Sequence, residues 1–138
     1  MCTRQIASLV ILGLMVGCTS SSEQIKLKQY TAEGQKLYVK HCANCHQEDG
    51  RGLGTLYPPL AQSDFIKADV DRTICLIRYG IEGPIIVNGL QYNMVMPENS
   101  SLTPLQIAEI ITFITNSWGD NKGLISVNEV EKILTSCK

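Results

Sequence analysis

The segment that most constrains how this chain can fold is the pentapeptide Cys42-Ala43-Asn44-Cys45-His46. Cysteines three positions apart lie on one face of a helical turn, so both thiols can reach the same rigid group. Cys-x-x-Cys-His is the attachment sequence of c-type haem, and the histidine beside the thiols can bind the iron. The sequence therefore predicts one covalently bound haem c, attached through Cys42 and Cys45, with His46 as an axial ligand.

Two other uses of this cysteine pair fit the sequence less well. A structural zinc site needs four Cys or His ligands, and the chain has no second Cys-x-x-Cys or histidine pair. A thioredoxin-like dithiol would follow a β-strand, whereas the residues before Cys42 have a helical pattern. The only other histidine, His41, is adjacent to Cys42 and cannot reach the opposite haem face, which argues against two histidine ligands.

Composition narrows the class of protein further. A chain of 138 residues supports one small domain, and a net charge of −1 argues against a nucleic-acid partner. Aromatic residues make up only 6% of the chain, so a buried porphyrin would supply apolar bulk that the core otherwise lacks. The six cysteines favour an oxidising compartment. We therefore expect an exported protein.

The first residues have the layout of a signal peptide, which we assign to residues 1–17. Arg4 precedes an apolar run from Ile6 to Val16, too short to span a membrane. The run ends in Leu14-Met15-Val16-Gly17-Cys18, which resembles the bacterial lipobox. This pattern predicts a lipid anchor at Cys18 that faces the periplasm; the alternative is ordinary cleavage that leaves Cys18 free.

Three further regions follow. The Ser-rich residues 18–29 read as a flexible tether, with a helix expected from about Thr31. Residues 30–119 would form the haem domain, and residues 120–138 an extension with a short helix. Cys75 and Cys137 remain as a possible disulfide between the domain and this extension; two free thiols are the alternative.

Several element boundaries follow from caps and turns. Asp69 or Asp71 can begin a helix that stops at Gly80, and Asn88-Gly89 predicts a hairpin turn. Two capping boxes predict the remaining helices, one to about Ser117 and one near the C-terminus; they are Thr103-Pro104-Leu105-Gln106 and Ser126-Val127-Asn128-Glu129.

The second axial ligand decides whether the iron is closed or open to small molecules. Outside the leader, the methionines are Met94 and Met96, both in an extended stretch after the hairpin. Pro97 restrains Met96 to extended geometry, but residues two apart share one face, so spacing leaves both open.

Taken together, the residues from about Tyr30 to Gly119 resemble the class I cytochromes c, in their small bacterial lipoprotein or oxidase-associated form. This resemblance implies an all-α fold with about three to five short helices around one haem and a minor β-hairpin. It rests, besides the pentapeptide, on Gly34, Tyr38, Gly50, Gly52, Tyr57-Pro58-Pro59-Leu60, Asn88-Gly89, Met96-Pro97 and Asn116-Ser117-Trp118-Gly119.

The resemblance also assigns roles to single residues. It implies that Met96 rather than Met94 binds the iron, and that the Pro58 carbonyl accepts a hydrogen bond from His46. It places Gly34 and Tyr38 where the first helix crosses the last. The extension after residue 119 lies beyond the family core, so the disulfide has no support from the resemblance.

These expectations predict an electron carrier rather than an enzyme. An iron closed by histidine and methionine can only change its oxidation state, so we expect redox proteins as partners and no small-molecule substrate. The lipid anchor would keep the carrier at a bacterial membrane, in a respiratory chain. The alternatives are a haem enzyme or sensor with a displaceable sixth ligand, and a structural lipoprotein whose cysteine pair is merely a disulfide.

Overall fold

The structure, a computed structural model, describes residues 19–137, with side chains described from Ser22 onward. The expected signal peptide and Cys18 lie outside these residues. Among the helices of the described part, none is long and apolar enough to span a bilayer.

Helices dominate the described residues, which also contain one two-stranded antiparallel sheet. This confirms the expected all-α class with a minor hairpin. The helix count exceeds the expected range because α2 and α3 are single turns. In chain order the elements are α1 (Thr19–His41), α2 (Ala43–His46), α3 (Asp64–Ala68), α4 (Val70–Tyr79), β1 (Ile85–Val87), β2 (Leu90–Tyr92), α5 (Pro104–Ser117) and α6 (Val127–Ser136).

Residues 19–29, for which the sequence predicts a flexible tether, are helical in the structure. Helix α1 begins at Thr19 and runs without a break to His41. Serine and glutamine are compatible with a helix, so the Ser-rich composition did not reveal that α1 extends through these residues. Burial of Tyr30 and Gly34 begins the packed part of the helix, so α1 projects beyond the core at its N-terminal end.

Helices α1 and α5 cross at Gly34, as the family resemblance implied. A Cβ at Gly34 would collide with the Glu109 carbonyl oxygen and would lie 2.9 Å from the Phe113 Cβ. One turn later, Tyr38 is completely buried, with its ring centroid 5.5 Å from that of Phe113. The missing side chain at Gly34 therefore lets the two backbones touch.

We expect Gly34→Ala to destabilise the fold by about 1–3 kcal/mol, because overpacking forces two helices apart. Alanine has the higher helix propensity, so a loss of stability can come only from the crossing. Guanidinium unfolding of this variant and of the exposed control Gln35→Ala measures the difference. If the Gly34→Ala protein were as stable as the control, α1 and α5 would be able to move apart enough to accept the methyl group without loss of stability.

Helix caps fall where the sequence placed them. Asp69 accepts a hydrogen bond from the Arg72 amide at 2.8 Å and begins α4. Thr103 and Gln106 form the complete capping box of α5. At α6 only half of the expected box forms, with Ser126 accepting from the Glu129 amide at 3.2 Å.

The hairpin is held against α3, a helix that sequence reasoning did not anticipate. Asn88, at the turn between β1 and β2, has a φ of 51°. The Asn88 side-chain oxygen accepts a hydrogen bond from the Asp64 backbone amide at 3.0 Å. The Asn88 backbone amide donates to the Asp64 carboxylate at 2.7 Å. This reciprocal pair fixes the turn to the first residue of α3.

The C-terminal extension packs as part of the core. Val130 of α6 is fully buried, and Ile133 lies in the same apolar cluster. Earlier in the chain, the Asn116 side chain donates to the Gly123 backbone carbonyl at 2.8 Å and accepts from the Gly123 backbone amide at 3.1 Å. Residues beyond the expected haem domain therefore contribute to the same hydrophobic core.

The Cys75 and Cys137 sulfurs lie within bonding distance in the structure, with 5.6 Å between their Cα atoms. Cys75 is on α4, and Cys137 directly follows α6. A bond here would close a loop with a sequence separation of 62.

Candidate haem site

The cysteine pair lies at a sharp change in helix direction. Helix α1 ends at His41, and Cys42 then serves as the N-cap of the single turn α2. The amides of Cys45 and His46 donate to the Cys42 carbonyl at 3.1 and 2.9 Å. Through this tight turn, both thiols and the imidazole line the same cleft. Before any attachment, burial and, to a smaller extent, the neighbouring Cys45 raise the pKa of Cys42 to about 12, so its thiol is neutral.

His46 is oriented by the loop that faces it. Its Nδ1 lies 2.9 Å from the Pro58 carbonyl oxygen, which can only accept, so Nδ1 carries the proton. Burial lowers the pKa of His46, and the hydrogen bond to Pro58 partly opposes this effect. The buried ring is therefore a neutral imidazole whose Nε2 has a free lone pair, the form that binds iron.

A glycine allows the Pro58 loop to approach the pentapeptide. Gly52 has a φ of 70°, and a Cβ there would collide with the Tyr57 carbonyl oxygen. The Gly52 amide donates to the His46 carbonyl at 2.9 Å, and Leu53 pairs with Tyr57 in an isolated bridge. These contacts set the distance between His46 and Pro58.

Both methionines also line the cleft. Met96 forms a backbone bridge with Ile81, with N–O distances of 2.9 and 3.0 Å. Gly80 packs so closely under this bridge that a Cβ would collide with the Met96 carbonyl oxygen. Met94 has no such bridge among the described contacts, and it is 48% exposed, whereas Met96 is partly buried. Backbone fixation therefore distinguishes two residues that spacing alone did not.

The cleft is apolar and fits a porphyrin. Its empty volume is about 920 Å³ including the open mouth. Of the described residues that line it, none is Asp, Glu, Lys or Arg. Two thiols, an imidazole and two thioethers line the cleft, and these groups match the donor set of haem c. Within residues 19–137, no group of three or more Cys, His, Asp or Glu side chains is arranged to hold a metal ion.

Of the site residues predicted from sequence, Cys42, Cys45, His46, Pro58 and Met96 all line this cleft. Cys75 and Cys137 do not line it.

Sequence reasoning missed Tyr92, which is buried in the cleft wall and donates to the Gly54 carbonyl at 3.5 Å. A sequence signal for Tyr92 was the Asn88-Gly89 turn, because a hairpin about this turn pairs Tyr92 with Ile85. Ile85 also lines the cleft. This contact joins the hairpin to the loop that carries Pro58.

Comparison with known proteins gives one consistent result. Cytochrome c-552 of Thermus thermophilus is 34% identical over 111 residues, which cover 74% of this chain and 84% of the relative. The cytochrome c subunit of an alcohol dehydrogenase (quinone) from Gluconacetobacter polyoxogenes is 33% identical over 104 residues. That match covers 72% of this chain but only 22% of the subunit. The gluconate 2-dehydrogenase cytochrome c subunit of Pantoea cypripedii is 31% identical, over 72% of this chain and 23% of the subunit.

The Cytochrome c family model matches residues 31–118. This range begins on α1, ends directly after α5 and includes every residue of the cleft. The chain therefore belongs to the cytochrome c family.

Proposed function

We propose that this cytochrome c transfers single electrons between redox proteins of a respiratory chain, with iron ligated by His46 and Met96 and a lipid anchor at Cys18. As a family member, the chain carries covalent haem c and is an electron carrier. The observation that carries the finer proposal is that a neutral, oriented imidazole and a methionine with a fixed backbone line the same apolar cleft as the cysteine pair.

When bound, haem c supplies an iron that accepts and releases one electron. The chain's own residues control its surroundings. Cys42 and Cys45 fix the ring position, Pro58 holds the tautomer and rotation of His46, and the apolar lining excludes water. A thioether from Met96 favours the ferrous state and raises the reduction potential.

If His46 and Met96 both bind the iron, as proposed, no position would be left for a substrate, and this argues against catalysis at the iron. The relatives that are dehydrogenase cytochrome c subunits belong to oxidoreductases, and this supports redox proteins as partners. The supported role is therefore that of a carrier or an electron-transfer subunit, without a small-molecule substrate of its own.

Carbon monoxide tests whether the iron is closed. We expect the spectrum of the ferrous protein at neutral pH to be unchanged by the gas, since a methionine held by the Ile81 bridge does not leave readily. The control is the Met96→Ala protein, in which the opened position should bind the gas. A wild-type protein that binds carbon monoxide as readily as this variant would favour the haem enzyme or sensor instead.

The proposed anchor rests on the lipobox-like sequence that ends at Cys18. Metabolic labelling with a palmitate analogue should mark the wild-type protein and leave Cys18→Ser unmarked. Cys2→Ser is the matched control, because that cysteine lies within the expected leader and its loss should not change labelling. Equal labelling of all three proteins would contradict an anchor at Cys18.

A further inference from the structure

The residue directly after the histidine ligand has an unusual backbone. Gln47, the C-cap of α2, has φ 64° and ψ 159°. This part of conformational space is populated almost only by glycine, because a Cβ clashes with the backbone there. Strain of this kind lowers the ratio of folded to unfolded protein on the order of tenfold or more, unless neighbouring groups stabilise the conformation. The structure must therefore contain contacts that hold Gln47.

The strongest of these contacts comes from Tyr38. Its hydroxyl donates to the Gln47 carbonyl at 2.6 Å, and the same oxygen accepts from the Gly50 amide at 3.1 Å. Burial raises the pKa of Tyr38 well above its ordinary value, so the phenol keeps its proton. The Gln47 amide, in turn, donates to the Ala43 carbonyl at 2.9 Å. Both sides of the strained residue are thus fixed by hydrogen bonds.

Tyr38 is itself immobile. Its side chain has no exposed area, and its ring centroid lies 5.0 Å from that of Trp118 and 5.5 Å from that of Phe113. The hydroxyl at the end of this clamped ring is the only polar atom of the side chain. A donor placed so rigidly can select one orientation of the peptide that carries the Gln47 carbonyl.

Gln47 directly follows His46 in the chain, so its backbone conformation sets the direction that the chain takes after the histidine. The imidazole itself is held through Nδ1, which lies 2.9 Å from the Pro58 carbonyl oxygen. We propose that Tyr38 is a positioning residue, whose hydroxyl holds Gln47 in its strained conformation and thereby sets the plane of the His46 imidazole. The inference rests on the proposed ligation by His46.

Four variants of the haem-loaded protein test this inference. Gln47→Gly removes the strain and keeps the carbonyl, and Gln47→Ala is the matched control that keeps a Cβ. Tyr38→Phe removes the hydroxyl and keeps the ring packing, and the fourth variant combines Tyr38→Phe with Gln47→Gly. The readouts are guanidinium unfolding and the paramagnetically shifted haem-methyl proton resonances of the ferric protein, which depend on the orientation of the axial ligands.

We expect Gln47→Gly to raise the ratio of folded to unfolded protein on the order of tenfold, with unchanged haem-methyl resonances, and Gln47→Ala to give no such gain. Tyr38→Phe alone should change the spread of the haem-methyl resonances. In the combined variant the resonances should match those of Gln47→Gly, because glycine adopts the conformation without help from the hydroxyl.

Two results would overturn the inference. The first is that Tyr38→Phe leaves the haem-methyl resonances unchanged. The second is that Tyr38→Phe shifts these resonances by the same amount whether residue 47 is glutamine or glycine. The second result would show that Tyr38 acts through packing alone. Failure of the proposed ligation would be visible beforehand, since the wild-type ferric protein would then lack resonances of an iron-bound histidine.

Discussion

Ferric protein with Met96→Ala should lose the sulfur-to-iron charge-transfer absorbance completely, whereas Met94→Ala should keep it. Of the two methionines, Met96 has its backbone fixed by the bridge to Ile81 and is the more buried, so we expect its thioether to bind the iron. A methyl side chain cannot replace that ligand. The reduction potential of Met96→Ala should also fall, because a thioether favours ferrous iron. Visible spectroscopy and potentiometric titration measure the two effects.

Met94→Ala is a well-matched control, because this methionine lines the same cleft but is more exposed. Loss of the band in Met94→Ala alone would reassign the ligand to Met94. Persistence of the band in both variants would show that the methionines substitute for each other, and the single-ligand proposal would then be wrong.

Removal of the Cys75–Cys137 bond should lower the free energy of unfolding by roughly 2–5 kcal/mol. We propose that these cysteines form a disulfide, and the sequence separation of 62 would make the closed loop long. In the chain-entropy model, a loop of this length strongly restricts the unfolded chain. Urea unfolding of Cys75→Ser/Cys137→Ser, compared with the wild type, measures the loss at equilibrium.

Mild reduction of the wild type provides an independent arm of this experiment. The reduced protein and the double serine variant should have the same midpoint, since both lack the same bond. A double variant within about 0.5 kcal/mol of the oxidised wild type would indicate that α6 is held by the burial of Val130 and Ile133 alone.

Sequence reasoning succeeded where a local rule determines the structure. The cap at Thr103 and the hairpin turn at Asn88 depend on a few neighbouring residues, and both lie where the sequence placed them. The resemblance to the family also placed Gly34 at the helix crossing, where the structure has it.

The sequence was less informative where long-range contacts decide. The choice between Met94 and Met96 depends on pairing with Ile81, which is distant along the chain. Helix α3 is too short to show a period, and its position follows from the contact between Asp64 and Asn88. The strained backbone of Gln47 has no sequence signal, because glutamine is not a residue that this conformation favours.

Helix α1 has a mechanical consequence for a protein anchored at Cys18. A continuous helix of 23 residues is about 34 Å long and does not shorten or stretch as a coil does. It ends one residue before Cys42, where the haem attachment turn begins. In a protein anchored at Cys18, this helix would set an upper limit on the distance between the bilayer and the haem. The haem could change its position relative to the bilayer only when the whole helix tilts about its anchored end. The haem could not approach a partner whose redox centre lies farther from the bilayer than the helix allows, and diffusion of the lipid anchor within the bilayer would not change this limit.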